Sequence, residues 1–194
     1  MGSGEAEMRA AQTQSLLAAV ERLPAADRTK IRALIGEASI DRVLDALSVT
    51  FLPMSLHMHV SDCIRDVVGP GRNVDVWRET MFFAFDRPFL RSFVEMTTRI
   101  FGVSPSGLFK RAQKVNELIT RNAGSLSFEP TGPHSGTLTL AGFPAHQFRF
   151  ACYVEGLAGC LEATLALCRC TGSVKVLEQG ADGRASYAIE WREK

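Results

Sequence analysis

Hydrophobic positions recur at helical spacing along the first two thirds of the chain and at strand spacing beyond. Leu16, Leu17, Val20 and Leu23 predict a first amphipathic helix that stops near Pro24. Ile31, Leu34 and Ile35 mark a short second helix ending at Gly36. Ser39 is placed to cap a third, whose inward face reads Ile40, Val43, Leu44 and Leu47. Pro53 breaks the chain, and Ser55 to Val68 predicts another helix, closed by Gly69-Pro70-Gly71. Asp75 suits an N-cap for the apolar run through Phe85. Asp86-Arg87-Pro88 signals a kink or restart in a helix continuing to Phe101, and Ser104-Pro105 starts one that runs to about Arg121.

After Asn122-Ala-Gly124 the period becomes two. Leu126 and Phe128, then Leu138 and Leu140, alternate with polar residues around a Pro/Gly turn and predict a hairpin. A long helix is expected from about His146 to Cys170. A second hairpin follows, with Val174, Val176 and Leu177 in one strand and Arg184 to Arg192 in the other. Tyr187, Ile189 and Trp191 share one face of that last strand, which marks a sheet with one packed and one wet side. The expected fold is therefore α+β: N-terminal helices, then a hairpin-helix-hairpin unit forming a four-stranded, mainly antiparallel sheet with helices on one face. Residues 1–24 form a helix or arm, and 25–194 a single domain with a helical part (25–124) and a sheet-containing part (125–194).

The helix before the second hairpin carries two apolar stripes. One reads Phe150, Val154, Leu157, Leu161, Leu165 and Cys168; the other reads Cys152, Gly156, Cys160, Ala163, Leu167 and Cys170. Glu155, Glu162 and Arg169, seven apart, form a ridge that is expected to face water. Gly156 and Gly159 each cost roughly 1 kcal/mol in a helix interior relative to alanine. Their presence implies close approach of another helix or of a ligand.

Composition narrows the function classes. The chain has 194 residues, 46% hydrophobic and 22% charged, with 22 basic against 21 acidic side chains. A net charge of +1 with scattered basic residues lacks the footprint that nucleic acid or an anionic membrane selects. No secretory signal and no run of about 18 apolar residues is present, so a cytoplasmic protein without a transmembrane segment is expected. Five cysteines, four of them in the apolar helical segment, suit buried free thiols in a reducing compartment.

Candidate chemistry is sparse. There is no GxSxG elbow, Walker A loop, GxGxxG or HExxH pattern, so the expectation is a protein that is not an enzyme. His57 and His59, two residues apart, are weak metal candidates. Cys168-Arg-Cys170 on a helix would point its thiols in opposite directions. The aromatic run Trp77, Phe82, Phe83, Phe85, Phe89, Phe93 and Phe101 builds either core or an apolar pocket.

Tyr153-Val-Glu-Gly156-Leu, Val174-Lys-Val-Leu-Glu and Tyr187-Ala-Ile-Glu-Trp191 together resemble the tail of a paralogous family abundant in myxobacteria. This ending is also similar to vinyl-reductase-like small-molecule-binding domains and to transport-particle (TRAPP) subunits. Heme-based nitric-oxide sensor domains have a comparable order of elements. Their Tyr-x-Ser-x-Arg motif is absent here, so no cofactor is expected, with heme as the alternative.

What the resemblance and residues imply is a regulatory or sensory domain that binds a small apolar ligand and signals through a protein partner. The expected ligand contacts are Trp77, Phe82, Phe89, Phe93, Cys152, Gly156, Gly159 and Cys160. One alternative is an interaction or scaffold module, homodimeric or heterodimeric, without a small ligand. Another is a heme or metal sensor resting on His57, His59, His134 or His146.

Overall fold

The computed structural model describes residues 4–86 and 104–193. Its elements are β1 (Glu7–Arg9), α1 (Ala10–Val20), α2 (Ala25–Ile35), α3 (Glu37–Leu44), β2 (Phe51–Pro53) and α4 (Met54–Asp86). Then come α5 (Pro105–Phe109), α6 (Ala112–Ile119), β3 (Thr120–Arg121), β4 (Ser125–Gly132), β5 (Ser135–Ala141), α7 (Phe150–Leu167), β6 (Cys170–Gln179) and β7 (Ala185–Glu193). The expected helix from Arg87-Pro88 to Phe101, with Phe89 and Phe93, lies outside the described residues.

The alternating segments form the sheet they predict. Its order is β4-β5-β7-β6, antiparallel throughout, with Phe128 opposite Leu138, Leu138 opposite Tyr187, and Val174 opposite Ile189. Leu138, Leu140, Tyr187 and Ile189 are fully buried, and α7 packs against β6 and β7. The Tyr187 hydroxyl donates to the Val154 carbonyl of α7 at 3.2 Å. Tyr187→Phe keeps the ring and removes that buried bond, which is worth about 1 kcal/mol. A Tm lower by roughly 2–4 °C is expected in a chain of this length. An unchanged Tm would show that the bond contributes nothing.

Several boundaries differ from the pattern. A second, small sheet of order β2-β1-β3 ties the N-terminus to residues 51–53 and 120–121. Strands of two or three residues are too short to display a period. The N-cap of α3 is Gly36, at φ 80°, and not Ser39. Ile40 and Val43 are buried as expected, but Leu44 is 54% and Leu47 74% exposed. Because α3 ends at Leu44, the face it turns toward α1 is only two residues long.

Likewise α7 begins at Phe150, not His146, after a 3₁₀ turn at Ala145–Gln147. There Phe143 stacks on Tyr153 at 4.3 Å and on Phe150 at 5.2 Å, folding the incoming chain back over the first turn of α7. The helix stops at Leu167 because Arg169 adopts φ 56°, and Cys170 is already the first residue of β6. Cys168 and Cys170 therefore sit at a helix-strand junction. By length and composition α7 is apolar enough to cross a membrane, at a mean hydropathy of 1.4. In this fold it packs against α4 on one side and the sheet on the other.

The longest helix, α4, is bent. Gly69 has φ 80° and ψ 168°, a conformation open to glycine but strained for other residues. Pro70 then suits the first turn of the second half. Asp75 lies inside that half and caps nothing; it pairs with Arg78. Both halves meet α7. Glu155 forms a two-pronged bridge to Arg65, both bonds 2.8 Å, and Glu162 meets Arg78 at 2.9 Å. The ridge expected to face water is thus largely an ion-pair seam, with Arg65 and Glu155 each only 23% exposed.

Candidate functional site

Within α1, the polar run Gln12-Thr13-Gln14-Ser15 is buried in an otherwise apolar helix. Buried polar groups need partners. Gln14 donates to the Val43 and Ala46 carbonyls, at 3.0 and 2.7 Å, and Ser15 to the Ala11 carbonyl. Thr13 Oγ1 lies 3.0 Å from His57 Nδ1 on α4. His57 is wholly buried, and its other nitrogen, Nε2, has no hydrogen-bond partner among the described residues. Burial lowers its pKa to about 4, so the ring is neutral at pH 7 and each nitrogen is either a donor or an acceptor.

His57 forms part of the wall of an apolar cavity of about 130 Å³. The cavity lies between Met8 and Gln12, the two halves of α4, the α5-α6 segment and α7. From α7 come Tyr153, Leu157 and Cys160, and from α4 come Trp77 and Thr80. The Trp77 ring stands edge-on to His57 at 5.3 Å and edge-on to Tyr153 at 5.9 Å. Burial raises the Tyr153 hydroxyl and pushes the Cys160 thiol up to about 12. His57, Tyr153 and Cys160 are therefore all uncharged at neutral pH. Such a wall suits holding a neutral, mostly apolar molecule, and among the described residues no charged side chain lines it.

Behind Trp77 lies a buried polar cluster. Trp77 Nε1 donates to Ser61 Oγ at 3.1 Å, and Ser61 Oγ is 3.2 Å from Cys152 Sγ. Asn73 Nδ2 lies 3.8 Å from the same sulfur and 3.4 Å from Glu155 Oε2. Asp62 also faces the Cys152 thiol, and its burial raises its carboxyl above the usual range. Asp62 Oδ1 and Asn73 Oδ1 are buried without partners among the described residues.

Of the ligand contacts expected from sequence, Trp77 and Cys160 stand on the cavity wall. Gly156 and Gly159 face α4 instead. A methyl at Gly156 would land in the Trp77 indole, and one at Gly159 would strike the Val74 carbonyl oxygen. The space beside Gly156 is filled by a side chain, so these glycines serve helix packing. Cys152 belongs to the polar cluster, and Phe82 is 39% exposed. Neighbouring Phe83 lies under the Arg22 guanidinium.

His57 and His59 diverge, since His59 Nε2 is 3.3 Å from the Ile35 carbonyl oxygen. No group of three or more His, Cys, Asp or Glu side chains among the described residues is placed to hold a metal ion. Tyr153, Leu157 and the α5-α6 segment are not among the ligand contacts expected from sequence. The polar run inside α1 was the available signal, because buried polar residues must face one another or a ligand.

The sequence matches no family model and no curated protein. The fold, in contrast, matches solved structures over nearly its whole length. A variant H-NOX protein from K. algicida, in the Fe(II) unliganded state, has TM-score 0.67 and 11% identity, covering 96% of this chain and 98% of that one. An oxygen-binding H-NOX domain related to soluble guanylate cyclases, as its oxygen complex, has TM-score 0.61 and 13% identity, with 96% of each chain covered. A variant T. tengcongensis H-NOX has TM-score 0.60 and 13% identity, covering 96% of this chain and 98% of that one. H-NOX stands for heme-nitric oxide/oxygen binding. These matches overturn the expectation of no cofactor, because the domains that share the fold are heme-binding ones. At these identities the likeness establishes architecture: the chain has the α+β fold of the H-NOX domains.

Proposed function

We propose that this chain is a sensory, ligand-binding domain whose ligand enters the cavity at His57, with heme as the favoured cofactor. The observation that carries this reading is the His57 Nε2 atom, buried on the cavity wall without a partner among the described residues. A neutral imidazole with one nitrogen hydrogen-bonded and the other free is the arrangement found in histidines that ligate iron. Here Thr13 engages Nδ1 and orients the ring. The wall also carries the Cys160 thiol, which burial keeps protonated, and the Met8 and Met81 thioethers.

The donor set therefore fits a heme iron. The volume requires the walls to part, because about 130 Å³ is under the roughly 300 Å³ at which pockets for larger ligands begin. Bound heme would supply an iron centre able to take up a small gas. The chain's own contribution is to present His57, to hold it through Thr13, and to exclude water with Trp77, Tyr153 and Leu157. The reading assigns no catalysis. Signalling to a protein partner belongs to it as the step that makes binding useful.

Hemin titration tests it. A one-to-one complex with a shifted, sharpened Soret band is expected, and His57→Ala should weaken binding by about tenfold or more. Hemin that keeps its free spectrum beside the folded protein would remove the heme reading.

A second reading rests on the cavity's size. Dry apolar cavities of roughly 150 Å³ take up benzene or xenon, and this one, at about 130 Å³, is close enough in size to take a small apolar molecule with little movement of its walls. Such a ligand would raise the Tm in proportion to the logarithm of its concentration.

A further inference from the structure

The cavity and the buried polar cluster share one residue, Trp77. Its ring lines the cavity, and its Nε1–H bonds to Ser61 in the cluster. The contacts run outward from the indole. Ser61 Oγ accepts from Trp77 and lies 3.2 Å from Cys152 Sγ, a bond in which either group can donate. The Cys152 thiol in turn faces the Asp62 carboxylate. Asn73 links the same sulfur to Glu155, and Glu155 is held by both prongs of Arg65 at the protein surface.

This line crosses the bend of α4. Ser61, Asp62 and Arg65 precede Gly69, while Asn73 and Trp77 follow it. Gly69 is outside helical geometry, so the angle between the halves is set by side-chain contacts and not by a continuous hydrogen-bond ladder. Two acceptors in the cluster, Asp62 Oδ1 and Asn73 Oδ1, have no hydrogen-bond partner among the described residues. They allow the network to re-pair when Trp77 moves, which a fully satisfied network would resist. Behind the indole, Gly156 leaves no spare room. Displacement of the ring by a ligand is thus directed along the helix face toward Ser61.

We propose that the chain of contacts Trp77–Ser61–Cys152–Asp62 reads out cavity occupancy at the bend of α4, a coupling that rests on the ligand-binding reading above. Its output is a change in how the segment from Asp62 to Asn73 packs on α7. Ser61 and Asp62 are positioning residues here and touch no ligand.

The test uses the full chain carrying Trp191→Phe, so that Trp77 is the sole indole and reports saturation by hemin or, separately, by benzene. Hydrogen-deuterium exchange of peptides covering residues 62–73 is then compared with and without saturating probe. The expected result is a change of about fivefold or more, the lower end of ordinary coupling. Ser61→Ala and Asp62→Asn should each saturate at the same probe concentration, yet hold that change to within about twofold. Circular dichroism establishes that each variant is folded, and Asp62→Asn, at a half-buried position, serves if Ser61→Ala is not. A saturated parent protein with unchanged exchange, or variants that respond like the parent, overturns the coupling and leaves the binding reading standing. Failure of both probes to saturate the parent overturns the binding reading, and the coupling with it.

Discussion

Acidification from pH 7 to pH 4 is expected to remove about 3 kcal/mol of folding stability through one residue, His57. Its folded-state pKa of about 4 lies below the ordinary histidine value of 6.5. Between those values the unfolded chain binds a proton that the folded protein refuses. The stabilising contribution is therefore complete above pH 6.5 and is lost as the pH falls toward 4. Against a typical total of about 5–15 kcal/mol, that is a large fraction. Asp62 acts in the opposite sense, since burial raises its carboxyl and low pH relieves the cost of holding it charged. Urea unfolding at pH 7, 5.5 and 4, in the parent and in His57→Met, separates the two. The variant cannot charge at that position and should show a much shallower loss. Parallel losses in both proteins would mean that His57 is not the source.

Gly159→Ala should destabilise the protein by about 2 kcal/mol, although alanine is the better helix former. Helix propensity favours the substitution by roughly 1 kcal/mol. The added methyl, however, meets backbone: the Val74 carbonyl oxygen, with Arg78 N at 3.1 Å and the Val74 carbonyl carbon at 3.2 Å. Backbone cannot rotate away as a side chain can, so α7 and α4 must separate. Overpacking of this kind costs about 1–3 kcal/mol, occasionally more. Separation would also loosen Trp77 and the Arg65–Glu155 bridge, which span the same seam. A Tm lower by roughly 4–8 °C is expected for a chain of this size. A Tm equal to or above that of the parent would show that the seam has slack. Gly156→Ala faces the Trp77 ring instead, which can shift, so its smaller stability loss should come with altered probe binding.

Much of the architecture was legible because it depends on short-range repetition. The alternation of Tyr187, Ile189 and Trp191 placed one face of β7 in the core, and the structure buries all three. Ser104-Pro105 announced a helix start, and Ser104 does accept from Gly107 N at 3.1 Å. The stripes on α7 announced a helix covered on most sides, and ten of its eighteen residues are buried. The ends of elements were less legible. Where α7 starts depends on Phe143 stacking over Tyr153, and where α3 ceases to be covered depends on the reach of α1.

The site was harder still. Trp77 and Cys160, expected from sequence as ligand contacts, line the cavity. His57 was weighed as one half of a metal pair with His59, a pairing that i, i+2 spacing on a helix cannot make. Its partner is Thr13, 44 residues away.

By itself, then, the sequence determined the order of elements, the sheet-forming hairpins and the burial of α7. Period and turn chemistry act over a few residues and need no knowledge of neighbours. Only the tertiary structure decided that Gly156 and Gly159 face a helix, that Glu155 and Glu162 meet arginines of α4, and that His57 lines a cavity with one nitrogen unpartnered among the described residues. Each of these is a contact between segments far apart in the chain. Whether a small residue makes room for a helix or a ligand, and whether a polar one is paired, is set by what the fold brings opposite it.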